Sequence, residues 1–156
     1  MKVRNAVALS VATVLLAAQA SALELSLSTV QYPERQSIEL VFGATSRAPR
    51  AEVSATVEAR EAQTSVRIVF TKMRPAVLFA GDVTSFVVWA VTRDGKVENL
   101  GELWVRDEDG DASFSTGLKE FALFVTAESH AMVDDPSELE ALLSADDYEQ
   151  QLPEAD

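Results

Sequence analysis

The chain has 156 residues, with 13 Lys or Arg against 25 Asp or Glu, a net charge of −12 and no cysteine. That charge opposes binding to nucleic acid or anionic lipid. The missing cysteines exclude disulfides, thiolate nucleophiles, Cys-ligated zinc and a lipidated N-terminal cysteine.

Lys2 and Arg4 precede an apolar run from Ala6 to Ala18, and Ala20-Ser21-Ala22 puts small residues at the two positions a signal peptidase reads. Residues 1–22 are therefore expected to be a cleavable signal peptide, and the product to be periplasmic or secreted. A helix needs about 20 residues to cross ~30 Å of hydrocarbon. The run is shorter, so no stable membrane insertion is expected after cleavage.

From Leu23 the apolar residues recur with period two, as a half-buried strand requires, because successive side chains point to opposite faces. Leu23, Leu25 and Leu27 are followed by Ile38, Leu40 and Phe42, then by Val53, Ala55, Val57 and Ala59, then by Val66, Ile68 and Phe70. Arg60 to Gln63 is short enough to make the last two a hairpin. Ser85 to Thr92 is apolar on both faces and reads as a central strand covered on two sides. Asp94-Gly95 then predicts a reversal into Val97 to Val105. A second turn is expected at Asp107 to Asp111 around Gly110, followed by strands at Ala112 to Ser115 and Phe121 to Glu128. About eight strands separated by turns predict an all-β, immunoglobulin-like two-sheet sandwich over residues 23–133. Phe86, Val88 and Phe121 to Val125 are expected in its core, with Trp89 beside them.

Residues 134–156 are expected to add a short helix and an acidic, disordered tail. Asp135 suits a cap, Pro136 the first helical position, and Glu138 a capping box, with Leu139, Leu142 and Leu143 on one side. No Lys or Arg follows Lys119.

No constellation of residues specifies a reaction. His130 is the only histidine, so a hydrolytic relay would pair it with Ser129, Ser113 or Ser115 and an acid such as Asp134. No Gly-x-Ser-x-Gly elbow accompanies it, and the chain is not expected to be an enzyme or to hold a cofactor. The one candidate metal site is a calcium turn using Asp107, Asp109 and Asp111. Its glycine stands fourth rather than sixth, and Leu118 occupies the twelfth place where a ligand is needed. Arg47, Arg50 and Arg60 form a candidate basic spot, or serve as strand-edge charges. Trp89 and Trp104, with Phe86 and Phe124, are candidates for a sugar- or peptide-binding face, although Trp89 fits better in a core.

The stretches Thr84 to Leu103 (TSFVVWAVTRDGKVENLGEL) and Phe121 to His130 (FALFVTAESH) resemble uncharacterised exported bacterial proteins, found especially in Acidobacteria. A strand of the type T-Y-V-L-W-A-I, a D/E-G turn, an N-L-G-E-L segment and a V-T-A-E segment recur in that group. The resemblance spans about Ala48 to Ser137. A more distant one, to the extracytoplasmic sandwich of anti-sigma-K-type factors, implies a shared sandwich fold. Ser129 stands where those factors carry proline, and their sigma-binding helices have no counterpart here, so the resemblance implies at most a sensor-like accessory. The function expected overall is a non-enzymatic interaction or structural module of the bacterial envelope. It would engage an envelope protein through a sheet edge or the acidic C-terminal segment. A calcium-stabilised adhesive module is the alternative.

Overall fold

The computed structural model describes residues 11–17, 24–44, 48–79, 81–137 and 140–143. Its strands are β1 (Val11–Ala17), β2 (Glu24–Gln31), β3 (Ser37–Val41), β4 (Gly43–Ala44), β5 (Glu52–Ala59), β6 (Thr64–Thr71), β7 (Ser85–Val91), β8 (Val97–Leu103), β9 (Gly110–Thr116), β10 (Glu120–Glu128) and β11 (Glu140–Leu143). A 3-10 turn spans Ala76–Leu78.

The strands form two antiparallel sheets packed as a sandwich. One has the order β3-β5-β6-β9. The other is built on β8-β7-β10; along the free side of β10, Phe121 pairs with Val30 of β2 and Val125 with Leu142 of β11. β1 pairs with β2, and β4 with β11. Connections between the described strands cross from sheet to sheet six times, at β2–β3, β3–β4, β4–β5, β6–β7, β8–β9 and β9–β10; β6 leads to β7, and their partners β9 and β10 follow in the same order.

The period-two reading holds in β5 and β6. Val53, Ala55, Val57, Val66, Ile68 and Phe70 are buried, while Glu52, Thr56, Arg67 and Val69 are exposed. Opposite them, Phe86, Val88, Ala90, Phe121, Leu123 and Val125 complete the core between the sheets. All seven residues of β7 are buried, as expected of a strand covered on both faces. Trp89 lies away from Phe86 and Val88, because adjacent residues in a strand face opposite ways. It joins Val87, Val91, Ala122 and Phe124 in a second cluster on the outer face, where Val97 and Val133 pack against it.

Two expectations are revised. Glu140–Leu143, within the span expected to be helix and tail, is a strand, because a sheet edge on β10 is available to pair it. Glu138 and Leu139 of the expected helix, and the tail from Ser144, lie outside the described residues. The turn expected around Gly110 falls instead at Asp107-Glu108, closed by reciprocal 3.0 Å backbone bonds between Arg106 and Asp109. Gly110 opens β9, and its role is close packing: a Cβ there would run into the Phe70 ring and sit 2.6 Å from the Trp104 carbonyl oxygen. Within the expected signal peptide, Val11–Ala17 pairs with β2, while residues 1–10 and 18–22 lie outside the described residues.

Candidate functional site

Strand register gathers four connections at one end of the sandwich, called here the distal end. Glu52 lies opposite Thr71, Phe70 opposite Gly110, Phe86 opposite Leu103, and Ser85 opposite Glu128. The distal end therefore carries Ala48–Ala51 and residues 72–79, 81–84, 104–109 and 129–137. Connections at the end of a rigid sandwich are where binding residues are commonly placed.

The motif stretches converge on the last of these connections. The Trp89 indole N–H donates to the Thr126 hydroxyl at 2.8 Å, and that hydroxyl donates to the buried carboxylate of Glu128. Glu128 also accepts the Ser137 amide at 2.9 Å, and the Ser137 hydroxyl donates to the Ala127 carbonyl. Asn99 donates to the carbonyls of Ala131 and Val133 at 2.8 and 2.9 Å. Residues 129–137 are thus strapped down, with Val133 against the Trp89 cluster. Gly101, with φ of 141°, lies opposite Val88, next to a bulge at Leu100 that brings Asn99 opposite Trp89. A Cβ there would come within 2.7 Å of the Phe114 ring. The motif residues Trp89, Asn99, Gly101, Thr126 and Glu128 accordingly serve the architecture.

Of the serines proposed for a hydrolytic relay, Ser113 and Ser115 are separated from His130, and only Ser129 shares its connection. Ser113 and Ser115 are exposed on β9 in the four-stranded sheet, whereas Ser129, His130 and Asp134 are exposed beyond β10 of the other. The Ser129 carbonyl accepts the Thr84 hydroxyl at 2.8 Å. Asp107, Asp109 and Asp111 do not converge either: Asp107 is in the turn, Asp109 closes it, and Asp111 in β9 pairs with Arg67 at 3.1 Å. Among the described residues, no three carboxylates or histidines stand together to hold an ion.

The basic spot is rebuilt from other residues. Arg60 lies at the opposite end of the sandwich, paired with Glu58 at 2.6 Å, and Arg47 is outside the described residues. Arg50 instead lines a distal cleft of about 500 Å³ with Lys72, Arg74, Glu108, Ala48 and Pro49. Lys72 donates to Glu52 at 2.6 Å, and that hydrogen bond together with the Lys72 charge holds the Glu52 carboxyl below its ordinary range. Arg50 and Arg74 make no ion pair among the described residues.

The large exposed hydrophobic residues among those described are Val41, Val69, Val77, Leu78, Trp104 and Met132. Val77, Leu78, Trp104 and Met132 are on distal connections, and Val41 and Val69 are near the distal ends of their strands. Trp104 is 74% exposed, whereas Trp89 is fully buried; of the four aromatic residues proposed for a binding face, only Trp104 faces solvent. Val77 and Leu78 gave no sequence signal because their exposure depends on a 3-10 turn that period-two patterning does not reveal.

No family model, no curated protein and no solved structure matches this chain.

Proposed function

We propose that this protein is a non-enzymatic interaction module of the bacterial envelope, exported through the leader at residues 1–22 and engaging a protein partner with the distal end of its sandwich. The observation that carries this reading is the gathering of exposed apolar residues at that end, with Trp104 foremost among them. Exposed apolar groups gathered in one region are a mark of interaction surfaces, and tryptophan and arginine dominate the binding energy of many interfaces. Arg50 and Arg74 supply the second residue type at the same end. The pairing of β6 with β9 in one sheet and β7 with β10 in the other supports an immunoglobulin-like reading of the sandwich.

The test is crosslinking in intact cells with a tagged full chain, comparing the unchanged protein with Trp104→Ala/Leu78→Ala. Both side chains are exposed, so the double variant is expected to fold normally and to lose a specific envelope partner. Recovery of the same partner in equal yield from both proteins would refute the reading.

A further inference from the structure

We propose that the distal cleft bounded by Arg50, Lys72 and Arg74 binds carboxylates of an acidic protein segment; this rests on the reading of the distal end as an interaction surface. Three cations converge there on a chain whose net charge is −12. Lys72 is already engaged by Glu52, which leaves the guanidinium groups of Arg50 and Arg74 without an ion pair among the described residues. A guanidinium offers a planar fork that matches a carboxylate through two parallel hydrogen bonds. With Glu108 as the single acid in the lining, the cleft remains cationic.

The backbone around the cleft is fixed at a conformational cost. Four described residues other than glycine have positive φ; two of them, Lys72 and Glu108, line this cleft, and a third, Asp107, directly precedes Glu108. The Met73 amide donates to the Glu108 carbonyl at 2.9 Å, and Met73 is fully buried, which locks the Lys72–Arg74 segment against the 104–109 hairpin. Strained backbone of this kind clusters at binding sites, where it presets side-chain direction.

An acidic protein segment suits the cleft better than a membrane or nucleic acid does. The overall negative charge repels an extended anionic surface at long range, while cations in a concavity attract a local carboxylate at short range.

The probe is a fluorescein-labelled hexaglutamate peptide, titrated by anisotropy against the full chain, against Arg50→Ala/Arg74→Ala, and against Arg35→Ala/Arg60→Ala at the opposite end. Saturable binding is expected at low salt, with affinity at least about tenfold weaker in the cleft variant and within about twofold in the control. Melting curves confirm that each variant is folded. Absence of saturable binding, or equal loss in both variants, would overturn the proposal. So would capture of phosphatidylglycerol vesicles that depends on Arg50 and Arg74. If the peptide fails to bind while Trp104→Ala/Leu78→Ala still loses its envelope partner, the carboxylate assignment alone falls. If the peptide binds but partner capture is indifferent to Trp104 and Leu78, the wider reading falls.

Discussion

Trp89 and Thr126 are joined by a 2.8 Å hydrogen bond between side chains that are both fully buried, on neighbouring strands of one sheet. The indole N–H has one donor to place, and the Thr126 hydroxyl accepts it while donating its own proton to Glu128. Thr126→Val keeps the shape of the side chain but strands the indole and takes from the Glu128 carboxylate one of its two donors, leaving the Ser137 amide. A buried polar group left without its partner costs about 1–3 kcal/mol. The variant is expected to lose at least that much stability in urea unfolding, and Thr126→Ser to recover most of it. Equal stability of Thr126→Val and the unchanged chain would show that the network contributes nothing.

Asn99 holds the strap of residues 129–137 through two carbonyls. Asn99→Ala is expected to destabilise the fold by about 1–2 kcal/mol and to speed amide exchange in residues 131–137. Because Val133 covers the Trp89 cluster, acrylamide should quench Trp89 more readily; the Trp104→Phe background isolates that signal.

Glycine positions separate into tight and open. Gly110→Ala forces a methyl group against Phe70 and the Trp104 carbonyl, and is expected to cost about 2 kcal/mol or more. Gly117→Ala meets nothing within 4 Å and should be close to neutral in the same thermal melt.

Lys72 sets the titration of Glu52. The lowered carboxyl value in the folded chain means that this pair contributes stability above the ordinary value of 4.5, and the contribution is lost as pH falls through the folded value. Lys72→Met is expected to move the Glu52 carboxyl upward toward its ordinary range, measured by carbon NMR of the side-chain carboxyl. Both partners are exposed, so little change in overall stability should accompany it.

Much of this architecture is legible in the sequence because one face of each strand is buried, and alternation records which face. Val53 to Ala59, Val66 to Phe70 and the doubly covered Ser85–Val91 are read correctly for that reason. The Asp94-Gly95 reversal is local chemistry: Gly95 has φ of 83°, and its amide donates to the Thr92 carbonyl at 3.0 Å. What escapes the sequence depends on distant pairing. Glu140–Leu143 has leucines spaced for a helix and becomes a strand because β10 offers it an edge. Gly110 looks like a turn residue, yet the positive φ falls on Asp107 and Glu108, since Gly110 is needed where Phe70 approaches. Of the cleft, only Arg50 carries a signal in the sequence. Lys72 and Arg74 join it because Glu52 lies opposite Thr71, a relation no local pattern encodes.

The crossed pairing of β6 with β9 and β7 with β10 also sets the order in which the molecule can be assembled. The central strand β7 finishes its pairing only when residues 120–128 are present, late in the chain. Until then, a strand with seven buried residues has one partner, the neighbouring β8. Such long-range closure is slow compared with local hairpin formation. A nascent chain of this design cannot close the sheet around β7 until most of its length has been made.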